Sequence, residues 1–191
     1  MFNLRALAVV ALLLALLLAP SGCGPGQQVN WIPDQEPWAA PPVTVSWSID
    51  STFDSSVEYA MDGWNHAAGC DVLVKAPAGA AANVDIGSYD GTICGGPGGI
   101  EDVSGATAGT ARCSADRAEI RLQVLSDIRS VFVIVEHELG HALGLAHDTS
   151  ELMNPSPRLY DPAQLGGGAT LLVLPSDADG DAVGRRYCAR Q

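Results

Sequence analysis

Apolar and polar residues follow two rhythms along this chain, and the changes between them predict its elements. Over residues 43–49, Val43, Val45 and Trp47 alternate with Thr44, Ser46 and Ser48, the two-residue period of a half-buried strand. Residues 54–68 shift to a helical period that puts Val57, Ala60, Met61 and Trp64 on one face, and Ser55 with Glu58 has capping-box spacing. Val72-Leu73-Val74 and Val84-Asp85-Ile86 predict two short strands. The clearest strand covers 118–125, where Ile120, Leu122 and Val124 alternate with Glu119, Arg121 and Gln123. Before it, residues 91–109 are glycine-rich and predict a long loop, a length uncommon unless functional or stapled. A second helix is predicted over 127–143. Val131, Ile134, Val135, Leu139 and Leu143 recur at helical spacing, Phe132 and Val133 thicken the apolar run, and Ser126 or Asp127 can cap it. That helix is buried on most sides. A last helix follows Ser176, where Asp177, Asp179 and Asp181 suit the positive end of a helix dipole better than an EF-hand, whose glycine and final glutamate are misplaced.

The N-terminus changes the picture from a plain domain to an exported one. Arg5 precedes an apolar run of 14 residues, 6–19, which suits a signal peptide and is short for a membrane span. Ser21 and Gly22 then lead to Cys23, which resembles a bacterial lipoprotein processing site, although Pro20 stands where a leucine-like residue is usual. The expected layout is a signal peptide over 1–22, a lipidated tether over 23–42 rich in Pro, Gly, Gln and Trp, and one domain over 43–191. A secreted protein cleaved nearby is the alternative to a cell-envelope lipoprotein. Five cysteines are an odd number in an exported chain. Lipidation of Cys23 leaves Cys70, Cys94, Cys113 and Cys188, which allow two disulfides in three connectivities. Cys94 with Cys113 staples the glycine-rich loop, and Cys70 with Cys188 ties the end of the first helix to the C-terminus. The formal net charge is −12, with every acidic residue beyond the leader. Such a charge excludes nucleic acid or an anionic membrane as an electrostatic partner; the membrane enters only through the lipid.

The chemistry sits in one run, His137-Glu138-Leu139-Gly140-His141-Ala142-Leu143-Gly144-Leu145-Ala146-His147, which reads H-E-x-x-H-x-x-G-x-x-H. Two histidines four apart lie one turn apart on a helix and can grip one metal ion. Glu138, displaced around the helix, can reach a water on the metal without being a ligand. Gly144 can end the helix and turn the chain, bringing His147 back as a third ligand. Three protein nitrogens leave a fourth position open, the mark of a catalytic zinc (Zn2+) site. Five fixed residues arise by chance on the order of 10⁻⁷ per position.

Six residues after His147 comes Met153, in Glu151-Leu152-Met153-Asn154-Pro155. With it the chain resembles the metzincins, and among them the matrixin-like peptidases, whose methionine turn forms a floor under the zinc. The likeness is specific over 137–153 and looser over 43–188. Residues 43–49 look like the family's first strand, 54–68 like its first helix, 118–125 like the edge strand that pairs with substrate, and 176–187 like its C-terminal helix. Asp148 departs from the matrixin pattern and looks like the adamalysin branch; Pro157 stands where matrixins often carry a tyrosine. Matrixins often bind a second zinc through further histidines. Only His66 remains here, read as a surface or capping residue, so one zinc is expected. No cysteine-switch propeptide motif precedes residue 43.

The resemblance implies an α/β (α+β) zincin/metzincin fold: a small twisted mixed sheet with two helices, one of them the active-site helix, and a short C-terminal part with the methionine turn and one helix. It implies a zinc-dependent endopeptidase acting on protein or peptide substrates, with Glu138 as catalytic base, His137, His141 and His147 as ligands, and Asp148 and Gly144 supporting them. The alternative is a non-catalytic surface binding protein on the same scaffold. Asp85, Asp90, Glu101 and Asp102 flank the glycine-rich loop. They read first as solvated acids, with a calcium (Ca2+) site as the alternative, since such loops hold calcium in matrixins. Glu136 reads as a solvated acid or one supporting the ligands from behind.

Overall fold

The computed structural model describes residues 29–97, 101–103, 106–123, 128–155 and 173–190. Its frame is a six-stranded, mostly parallel sheet. In chain order the strands are β1 (Val43–Ser48), β2 (Leu73–Lys75), β3 (Val84–Ser88), β6 (Glu101–Val103), β7 (Ala106–Ser114) and β8 (Arg117–Leu122). Between β3 and β6, β4 (Thr92–Ile93) and β5 (Gly96–Pro97) form a separate two-stranded ribbon. Across the sheet the order is β2-β1-β3-β8-β7-β6. The first four strands run parallel, with Val45 beside Val84 and Val84 beside Ala118; β7 and β6 are added antiparallel. The architecture is therefore mixed α/β, as expected.

Two helices, α1 (Asp54–Ala68) and α2 (Ile128–Ala142), cover one face. The alternation in β1, β3 and β8 turns Val43, Val45, Val84, Ile86, Ala118 and Ile120 towards them, all buried. From α1 come Val57, Ala60, Met61 and Trp64, and from α2 Val131, Ile134, Val135 and Leu139. Both helices match their predicted spans, although Ser126 and Asp127, the proposed caps of α2, lie outside the described residues. The capping box of α1 does not form. Asp50 instead caps a preceding 3-10 turn, Ser51–Phe53, accepting from the Thr52 amide, and this turn runs directly into α1 at Phe53. Asp54 is engaged by the Trp47 indole at 2.8 Å. The third helix, α3 (Asp177–Tyr187), is capped by Ser176, which accepts from the Asp179 amide. It crosses the end of α1 so closely that Gly180 and Gly184 lie against the Ala67 and Ala68 carbonyls.

Three further expectations change. The strand at 118–125 is not an edge: β8 lies between β3 and β7, because the glycine-rich stretch pairs with it as β7 rather than looping free. The outward face of β8 is not solvated either. Glu119 is buried, bridged to Arg117 and Arg121, and it accepts from the Cys94 amide at 2.7 Å, so the β4–β5 ribbon closes over an ion cluster. Finally, the part of the expected tether that is described, residues 29–42, is packed on the body. Trp38 is buried, and Trp31 forms a bridge with Leu145.

The disulfides are Cys70–Cys188 and Cys94–Cys113. Bonds of this kind persist in oxidising, exported compartments. Among the described residues no helix is long and apolar enough to cross a membrane. Cys23 and the leader lie outside the described residues.

Candidate metal centre

Helix α2 carries His137 and His141 one turn apart. Gly144, at φ +101°, takes the left-handed backbone that ends the helix, and Leu145 to Ala146 lead back to His147. The three Nε2 atoms converge. They lie 3.0 Å apart between His141 and His137, 3.1 Å between His141 and His147, and 3.3 Å between His147 and His137. Two nitrogens held tetrahedrally at 2.0–2.1 Å from zinc are about 3.3 Å apart, close to these spacings.

Their protonation follows from their other nitrogens. His137 Nδ1 donates to the Leu152 carbonyl at 2.6 Å, and His141 Nδ1 to the Leu145 carbonyl at 2.7 Å. A carbonyl only accepts, so both protons sit on Nδ1 and both Nε2 atoms present lone pairs. Burial, reinforced by the neighbouring His141 imidazole, pulls His137 from 6.5 down to about 3, so its ring is neutral. Lone pairs facing one another at this distance repel unless a cation lies between them. The cluster can therefore hold a metal ion, and its all-imidazole donor set suits zinc.

The methionine turn packs under this cluster. Met153 is buried, and a Cβ at Gly140 would meet its Sδ at 2.5 Å and Trp64 Cζ2 at 2.9 Å. Glycine between the ligands thus lets the turn approach the helix, a need the motif alone does not reveal. Asp148 shapes the turn. Its carboxylate accepts from the Ser150 amide at 2.6 Å, its own amide donates to the Met153 carbonyl, and Ser150 Oγ accepts from the Met153 amide. From α3, buried Asp179 faces the same loop; burial raises its carboxyl above 3.8, against the hydrogen bond from Ser176.

Glu138 faces β7. The Thr110 hydroxyl donates to its Oε2 at 2.6 Å and lies 3.1 Å from its carbonyl. Together with Ile32, Pro33, His141 and His147 they line a cleft of about 360 Å³. Thr110 had no signal in the sequence, because only strand pairing brings β7 to α2.

Nor did residues 30–38, which form a strap along the cleft. The Ile32 amide donates to Gly144 O and the Ala146 amide to Asn30 O, both at 2.8 Å, so the strap grips the segment that carries His147. Trp38 Nε1 donates to the Ala142 carbonyl at 2.9 Å, satisfying one of the orphan acceptors at the end of α2. Arg186 of α3 holds the strap from behind, over the Trp31 ring and donating to Gln35 O at 2.7 Å.

Of the remaining acids, Asp85 and Asp90 are engaged by neighbouring side chains. Asp85 pairs with Arg121 at 3.0 Å, and Asp90 accepts from Thr92, which holds its carboxyl below the usual range. The side chains of Glu101 and Asp102 lie outside the description. His66 is exposed in the last turn of α1. Glu136 is not solvated: it is fully buried, its carboxyl fills the space beside Gly63, and burial alone pushes it up to about 9. Searched against known proteins, the chain matches no family model and no curated sequence.

Proposed function

We propose that this chain is a zinc-dependent endopeptidase of metzincin type. The observation that carries the reading is the convergence of three imidazole Nε2 atoms, with His141, His147 and the non-converging Glu138 lining one cleft. Zinc, when bound, supplies Lewis acidity, lowering the pKa of water towards about 7 and polarising a peptide carbonyl. The chain's own residues supply the rest. Glu138 takes the proton of the attacking water and returns it to the leaving amine. Thr110 fixes one oxygen of that carboxylate, so the proton is handled at a defined place. The Leu152 and Leu145 carbonyls orient His137 and His141, and Gly144 with the strap sets His147. Met153 and Asp148 form the floor and its closing turn.

The test is a peptide-library digest by the purified protein, with chelator and zinc-restored controls. One zinc per chain is expected. Glu138→Ala should keep that zinc and lose cleavage by at least about 10²-fold, the lower end of general-base catalysis. A wild type that holds zinc and cleaves nothing, or a Glu138→Ala variant as active as wild type, points to the non-catalytic binding protein instead.

A further inference from the structure

The wall of the cleft carries a cation, Arg112, that forms no ion pair among the described residues, with Asp116 the acid whose charge acts on it from outside. Ala108, Thr110 and Arg112 are spaced by two along β7 and share the face that looks towards α2. Thr110 holds Glu138, so Arg112 lies one step along the same wall, about 7 Å of strand away. Its guanidinium is fixed. Nε donates to Ser114 O at 3.0 Å, Nη2 donates to Ala115 O, and the plane lies 3.5 Å over the Trp38 ring. All these partners are neutral. Among the described residues no carboxylate lies within ion-pair distance, and Nη1 is enclosed without an acceptor. Burial, the largest influence, draws the group below its usual value, the mark of a charge partly removed from water.

The surroundings make this charge selective. Ala108, Ala118, Ala142 and Ala146 leave the cleft walls small and apolar, so there is room beside Arg112. Asp34 and Glu36 stand at the outer mouth, on the far side of Arg112. Both are solvent-facing, where interactions are screened strongly. In a chain of net charge −12, an anionic ligand is repelled by the surface at large. A cleft that admits one needs a local cation, and Arg112 is placed to be it.

We propose that Arg112 makes the cleft select a carboxylate on the bound peptide within about two residues of the scissile bond, an extended peptide spanning 3.3–3.6 Å per residue. The carboxylate is that of an aspartate or glutamate side chain, or the peptide's own C-terminus. This deepens the endopeptidase reading and rests on it for the position of the scissile bond.

The experiment measures kcat/KM for matched peptides. One set has blocked ends and Glu, Gln or Lys scanned across the three residues on either side of the bond. A second set is neutral, with a free or an amidated C-terminus. At the selected position we expect wild type to favour Glu over Gln by about tenfold, equal to about 1.4 kcal/mol. Preference for the free C-terminus in the second set identifies the terminal source instead. Arg112→Gln should bring the ratio to about one, Arg112→Lys should keep part of it, and Arg112→Glu should invert it towards Lys. Because these are ratios within each variant, a general loss of activity does not imitate them. The same peptides are titrated by fluorescence anisotropy against zinc-loaded Glu138→Ala, so the selection is read even if nothing is cleaved. No preference for a carboxylate in wild type, or one that survives Arg112→Gln, overturns the proposal; failure of cleavage alone overturns only the peptidase reading.

Discussion

Glu136 offers a measurement that needs neither substrate nor cleavage. Its carboxyl lies between α1 and α2, and neither oxygen has a partner among the described residues. Burial lifts it from 4.5 to about 9. Between those values the folded chain holds one proton that the unfolded chain has lost, so folding weakens as pH rises. The slope is about 1.4 kcal/mol per pH unit. From pH 7 to 9, where the slope fades as the folded group itself titrates, this group alone removes about 2 kcal/mol, a large share of the 5–15 kcal/mol typical of a domain. The perturbation is Glu136→Met, which keeps roughly the same length and removes the titration. Denaturant unfolding of zinc-saturated wild type and variant at pH 7, 8 and 9 is the assay; the difference between the two cancels every other group. The variant should be flatter by about 1 kcal/mol per unit and at least about 2 kcal/mol more stable at pH 8. Parallel pH curves, or a variant less stable at pH 8, refute the claim that the acid is buried and neutral.

Two further outcomes follow from the frame. Replacing Cys70 and Cys188 together by serine opens a link spanning 118 residues and should cost roughly 3–5 kcal/mol in a chemical unfolding curve; an unchanged midpoint rejects that link. Trp31→Ala with Trp38→Ala should loosen the strap and raise the zinc dissociation constant by about tenfold in a chelator competition, while far-ultraviolet circular dichroism stays unchanged; equal zinc affinity shows that the strap does not support His147.

The metal ligands were legible because their geometry is local. Two histidines four apart on a helix, and a glycine at the turn, need no knowledge of the sheet. The spans of α1 and α2 were legible for the same reason, since Val57, Trp64, Val131 and Leu139 mark faces at helical spacing. What the sequence hid depends on pairing between distant segments. Gly109 and Ala111 lack any periodic signature, so β7 looked like loop, and β8 looked like an edge. Thr110 and Arg112 reach the cleft only through that pairing. The proposed capping box of α1 yielded to Asp50, which caps a turn one step earlier. Glu136 was read as a solvated acid or one supporting the ligands from behind, and the packing of α1 against α2 rules out the first.

The strap also fixes an order of events. Gln35 meets Arg186 across 151 residues, Trp38 meets the end of α2 across 104, and Asn30 contacts the segment of His147 across 117. Contacts so distant in sequence close late, because the chain between them must be gathered first. A chain made as far as the motif therefore already holds the wall and the strap, but not α3, whose Arg186 holds the strap in place, and only with α3 docked is the clamp complete.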